Sequence, residues 1–361
     1  MKPTEQLHDL GQSLWLDNIT RTMLDDGTLE RFIDEYSITG LTSNPTIFDK
    51  AISGSDAYDE QISECGERGL EPEEIFFELA ISDLRRVTDL FADIHAATDR
   101  VDGWASLEVS PLLAYDTGKT IEQAARLHGT AERDNLFIKI PGTDAGRPAI
   151  EESIFAGVPI NVTLLFSRDD YLGAAEAFMR GIERRIEAGL DPAVPSVASI
   201  FISRWDVAIA DQVPAELRNG LGIPIGMQAY AAYRGLLDSQ RWQRLGTEGA
   251  RPQRLLFAST GTKDPEASDT LYIEGFAAPD TINTMPDKTL LAFADHGKVG
   301  EPLPADGGDV EERLQAYRDA GVDLDELAAR LQKEGAEAFV KSWRDLLQTV
   351  ESETSRLRAA G

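Results

Sequence analysis

Cysteine is nearly absent from this chain. Cys65 stands alone among 361 residues, which rules out an intramolecular disulfide and a cysteine-based zinc cluster and suits a reducing cytosol. Histidine is almost as scarce. His8, His95, His128 and His296 are scattered along the sequence and read as surface or helix-packing residues, so a metal-dependent mechanism is disfavoured and no metal is expected. Basic residues are outnumbered, 35 against 63 acidic, and the resulting net charge of -28 repels nucleic-acid backbones and anionic membranes at long range. Neither nucleic acid nor membrane is therefore expected as a partner.

Long apolar runs are missing as well, and nothing approaches the roughly eighteen uncharged residues of a membrane-spanning helix. The first eleven residues carry Lys2, Glu5, His8 and Asp9 instead of a signal-peptide core, and the expected location is the cytoplasm. There is no Walker A loop, no G-x-S-x-G elbow and no H-E-x-x-H. The N-x-T sequons at Asn18 and Asn161 are read as chance in a cytosolic protein.

What remains is an ordinary globular composition, 42% hydrophobic and 27% charged, with short apolar runs alternating with helix-length amphipathic stretches. Candidate strands lie at 12–17, 38–42, 105–109, 135–140, 160–165, 196–201, 254–258 and 281–285. Helices are expected at 28–36, 74–98, 118–132, 145–156, 169–188, 204–218, 225–242 and 287–295. Eight strand-then-helix units favour a closed (β/α)8 TIM barrel over an open sheet. The barrel is assigned to residues 1–300. Residues 301–361 are expected to form additional C-terminal helices, because Phe339, Trp343, Leu346 and Val350 share one helical face.

Alternation along the strands places chemistry at one end of such a barrel. If Leu136, Ile138 and Ile140 face the helices, Phe137 and Lys139 face the interior; by the same parity Ser106 and Glu108 point inward, as do Asn161, Thr163 and Leu165. Asp17 ends the first strand, and Ser199 and Phe201 alternate against Ala198 and Ile200. A lone Lys or Glu in a strand is more often an edge or snorkelling residue. Convergence of a lysine, two carboxylates, amides and hydroxyls at corresponding strand ends is costly to bury without a use. Burial disfavours the charged form of an amine, and a neutral amine attacks a carbonyl to give an iminium that draws electrons from a neighbouring C–C bond.

These residues resemble those of a known family, the transaldolases, in their longer bacterial type. Leu16-Asp17-Asn18 and Gly40-Leu41-Thr42-Ser43-Asn44-Pro45-Thr46 are similar to the family's first two strand ends, including the T-S/T-N-P signature. Ser106-Leu107-Glu108-Val109, Phe137-Ile138-Lys139-Ile140-Pro141-Gly142-Thr143, Asn161-Val162-Thr163-Leu164-Leu165-Phe166-Ser167 and Ser199-Ile200-Phe201-Ile202-Ser203-Arg204 resemble its later strands.

The resemblance implies a cofactor-free enzyme of the pentose phosphate pathway. It would carry a dihydroxyacetone unit from sedoheptulose 7-phosphate or fructose 6-phosphate to an aldose phosphate through a lysine Schiff base. It makes Lys139 the nucleophile, Asp17 the base at the donor's C4 hydroxyl, Glu108 the proton shuttle and Thr163 the holder of a water shared with Glu108. Asn44, Thr42, Asn161 and Ser199 would contact substrate hydroxyls, and Arg204 the phosphate. Phe201 stands where related fructose 6-phosphate aldolases carry Tyr, which favours transfer over cleavage. The chain departs from shorter members in having Lys263 with Ser259 where they place an Arg, and Ser110 where they have an acid. Lys263 and Ser259 are the expected second phosphate contact. The tail would cover the barrel mouth and keep water from the intermediate. A homo-oligomer is left open.

Overall fold

In the computed structural model, which describes residues 1–360, eight parallel strands close on themselves in sequence order. They are β1 (Ser13–Asp17), β2 (Ile38–Thr42), β3 (Trp104–Glu108), β4 (Leu136–Pro141), β5 (Ile160–Leu165), β6 (Ser196–Phe201), β7 (Gln253–Ala258) and β8 (Ile282–Met285). Helices surround the barrel, giving a (β/α)8 fold with extra C-terminal helices. Almost every strand residue is buried, as expected where one face meets the barrel interior and the other meets helices. No helix among the described residues is long and apolar enough to cross a membrane.

The interior is filled in layers. Trp15, two residues below Asp17, and Phe137, two below Lys139, have ring centroids 6.2 Å apart, and Phe137 stacks on Trp104 at 4.1 Å. Gly40 makes room for this plug, since a Cβ there would lie 2.5 Å from the Trp15 indole. One side of the next layer is polar: Asn161 donates to Ser106 Oγ at 3.1 Å and accepts from Ser199 Oγ at 2.7 Å. Above these lie the strand C-termini.

Several helix expectations need correction. The expected helix at 204–218 stops at Ile209, short of Pro214, which has no N–H for an intrahelical bond, and the Asp206 carboxylate accepts from the Leu221 and Gly222 amides at 2.7 and 3.0 Å where the following helix, Gly222–Leu237, starts. The stretch 225–242 breaks where Ser239 caps a new helix, Gln240–Thr247, and 74–98 divides at Phe91 into Pro72–Leu90 and Ala92–Ala97. The helices Pro45–Ser53 and Asp59–Glu67 have no counterpart in the sequence reading.

Strand parity also fails once. Leu164 adopts a φ of 59°, the pairing of β5 with β6 slips between Val162 and Leu165, and Leu165 comes to share a side with Val162 against Gly142. The expected inward position of Leu165 is therefore wrong. The bulge turns the Leu164 carbonyl toward the C-terminal helix, where Gln332 donates to it at 3.0 Å.

That helix, Leu324–Ala360, runs 37 residues across the end of the barrel. Trp343 packs against Phe76 and Phe77, and Thr46 and Asp49 bond to Ser342 and Thr349. Gly335 lets the helix come close to β5, since a Cβ there would meet the Leu164 side chain at 3.0 Å and the Arg204 guanidinium at 3.2 Å. A side chain there would make Leu164 and Arg204 shift by a few tenths of an ångström.

Candidate active site

Register brings the charged residues together. Glu108 on β3 pairs with Lys139 on β4, and Lys139 pairs with Asn161 on β5, so adjacent strands deliver their side chains to one spot. Lys139 is 6% exposed and Glu108 4% exposed, and Lys139 Nζ lies 3.3 Å from Glu108 Oε2. The directed hydrogen bond of the amine goes instead to the Ser43 carbonyl at 3.0 Å. Neither Glu108 oxygen has a hydrogen-bond partner of good geometry, and the buried Thr163 hydroxyl also lacks one. Groups so placed are costly unless they serve a ligand, water or proton transfer.

Asp17 closes the cluster from β1. Its Oδ1 accepts from Thr42 Oγ1 at 2.8 Å, and that hydroxyl lies 2.7 Å from Thr284 Oγ1. Burial pushes the Asp17 carboxyl above its ordinary range, opposed by the positive charges of Lys139 and Lys263 and by the Thr42 bond. Burial likewise raises Glu108, against the attraction of Lys139 and with a smaller push from Asp17. Both carboxylates thus hold protons more readily than free acids do.

The cluster opens into a cavity of about 340 Å³ at the strand C-termini, lined by Asp17, Thr42, Asn44, Lys139, Thr163, Ser199, Phe201, Arg204, Ser259 and Lys263. Of the sequence-expected residues, Glu108 and Asn161 are absent from this lining. Glu108 sits behind Lys139, and Asn161 lies one layer deeper with its amide tied to Ser106 and Ser199. Asn44 caps the helix Pro45–Ser53 by accepting from the Ile47 amide at 3.1 Å, which fixes its side chain at the rim. Ser259, at a φ of 56°, meets Ser203 Oγ at 2.8 Å.

The rim is cationic. The Arg204 guanidinium carbon is 5.4 Å from the Phe201 ring centroid and 5.9 Å from that of Phe339, and burial lowers the pKa of this group against the pull of Glu334. Lys263 and Lys50 are exposed on the same rim. None of the three forms an ion pair among the described residues, in a chain where most arginines do. Sequence reasoning missed Lys50, Thr284 and Phe339 as parts of this site. Thr284 could have been found by applying strand parity to β8; Lys50 and Phe339 reach the cavity from helices and carry no such signal.

The site is thus a closed (β/α)8 barrel's mouth with a buried lysine beside two carboxylates and cations free of ion pairs at its rim. The chain belongs to the transaldolase/fructose-6-phosphate aldolase family, whose model matches residues 14–350. It is 42% identical over 361 residues to a transaldolase of Saccharopolyspora erythraea, covering 98% of each chain. It is 42% identical over 357 residues to a transaldolase of Thermobifida fusca, covering 96% of this chain and 97% of that one. Its identity to transaldolase 2 of Streptomyces coelicolor is 39% over 362 residues, covering 98% and 97%.

Proposed function

We propose that the chain is a transaldolase, moving a dihydroxyacetone unit from sedoheptulose 7-phosphate or fructose 6-phosphate to an aldose phosphate such as glyceraldehyde 3-phosphate. The observation that carries this reading is the dry Lys139 amine, 3.3 Å from the Glu108 carboxylate and facing a cavity that Asp17 also lines. In this reading Nζ adds to the donor's C2 carbonyl, and the carbinolamine loses water to give an iminium. Glu108, through a water held with Thr163, moves the protons of those steps. Asp17 takes the C4 hydroxyl proton, the C3–C4 bond breaks toward the iminium, and an aldose phosphate departs. The remaining enamine adds to the acceptor aldehyde, Asp17 returns its proton to the new hydroxyl, and hydrolysis frees the lysine.

The rim would hold the phosphate. Arg204 offers unpaired donors, with Lys263 and Ser259 as the second contact, so that phosphate binding positions the carbonyl near Lys139. Asn44, Thr42, Ser199 and, from below, Asn161 would orient the sugar hydroxyls. Phe201 would line the donor subsite without adding a hydroxyl. Residues 301–361 act here as an extension whose long helix keeps water from the enamine while it waits for the acceptor. No cofactor is invoked, the compartment is read as the cytoplasm, nucleic acid is not a partner, and a homo-oligomer is compatible with the site.

The competing description within the family is cleavage with release of free dihydroxyacetone. Fructose 6-phosphate consumption measured with and without an aldose phosphate acceptor separates the two. Transfer predicts consumption that depends on the acceptor; equal rates in its absence would replace transfer by cleavage.

A further inference from the structure

The opposite end of the barrel holds a second cavity, of about 510 Å³, larger than the mouth and within the range of small-molecule sites. It lies at the strand N-termini, where Ser13, Trp104, Ser196 and Arg254 begin or follow the starts of their strands. The aromatic plug of Trp15, Phe137 and Trp104 separates it from the layer of Lys139. It shares no lining residue with the mouth.

Its chemistry is consistent in kind. Trp104, Phe137, Tyr233 and Leu237 supply apolar wall, and Arg100 and Arg254 supply charge. Arg254 donates only to neutral oxygens, those of Val101 (3.1 Å), Ser13 (2.6 Å) and Thr281 (3.0 Å), so no carboxylate pairs with it directly. The Arg100 side chain is exposed and has no partner, while its backbone, at a φ of 65°, is held by bonds to His95 and Trp104. The acidic wall residue, Asp280, is occupied by Arg234 at 2.8 Å. Gln12, only 1% exposed, commits its amide nitrogen to Phe276 and Thr281, while its Oε1 is buried with no donor. The cavity thus joins arginines free of carboxylate partners, an aromatic wall and a spare buried acceptor in a chain of net charge -28.

We infer that this basal cavity binds a small organic anion with a flat apolar body. The anionic group lies at Arg100 and Arg254, the body lies against Trp104 and Phe137, and a hydroxyl or amino donor on the ligand meets Gln12 Oε1. The inference is independent of the proposed transfer chemistry.

The test uses the full chain and 1-anilinonaphthalene-8-sulfonate, an aromatic monoanion whose fluorescence rises in apolar surroundings. Saturable enhancement at one site is expected, unchanged in Arg204→Ala, in which the mouth loses a cation. Arg100→Glu should weaken it by about tenfold or more, since a charge-assisted contact becomes a repulsion. Leu237→Trp, which narrows the cavity, should weaken it, and both basal variants should keep the parent enzyme activity. Absence of saturable binding, equal binding in Arg100→Glu, or loss of binding in Arg204→Ala overturns the inference. Because the exposed Arg100 side chain makes no hydrogen bond or ion pair among the described residues, that variant decides the matter even if Leu237→Trp fails to fold.

Discussion

Lys139 and Arg204 are both basic side chains near strand ends of one barrel, and they are held in opposite ways. Lys139 stands on β4 among fully buried neighbours, bonded to the Ser43 carbonyl and facing Glu108. Arg204 begins a short helix after β6, rests against Phe201 and Phe339, and has no acidic partner. The difference separates two jobs. A nucleophile must sit within a fixed distance of the groups that take and return its protons, which strand register guarantees. A phosphate anchor must keep its donors free until substrate arrives, and a long side chain on aromatic faces does so without a permanent counter-ion.

Substitutions should therefore divide into those that stop chemistry and those that loosen binding. Lys139→Ala should lower kcat by more than about 10⁴-fold with an intact fold, checked by steady-state transfer assays and circular dichroism. Glu108→Gln and Asp17→Asn should each cost about 10²–10⁴-fold in kcat. Their pH behaviour adds a sign. Burial raises both carboxylates, each must be ionised to accept a proton, and activity is lost as pH falls through the raised values. The acid limb of the parent profile should lie above the ordinary carboxylate range of about 3.9–4.3, and removal of either acid should change that limb.

Rim substitutions should act on KM first. Arg204→Ala is expected to raise KM for fructose 6-phosphate by about 10–100-fold, the worth of a charged hydrogen bond, with far less effect on unphosphorylated fructose. A matching collapse of kcat for both sugars would erase the distinction drawn between floor and rim. The smallest effect belongs to the exposed lysines. Lys263→Met and Lys50→Met should raise KM by less than about fivefold each, and added salt should shrink the difference from the parent.

The same contrast explains what could be read from the chain. All eight strands stand within about one residue of their expected positions, because a barrel strand is a short apolar run whose alternation is visible in sequence. Alternation and the family resemblance both point to Asp17, Glu108, Lys139 and Thr163, which the structure brings to or beside one cavity. The method failed at Leu164, where a positive φ reverses the parity and puts Leu165 on the other side. No residue type announces such a bulge. The helix expected at 204–218 runs too far because Pro214, which cannot donate an intrahelical bond, is read through. Lys50 and Phe339 reach the mouth from helices whose packing is set by tertiary contacts, so nothing local marked them.

The most direct examination of the central claim is reduction with borohydride in the presence of fructose 6-phosphate, followed by peptide mass mapping. A single stable adduct on Lys139 is expected, absent from Lys139→Ala and from protein reduced without the sugar. An adduct on any other lysine, or none on an active enzyme, would contradict it.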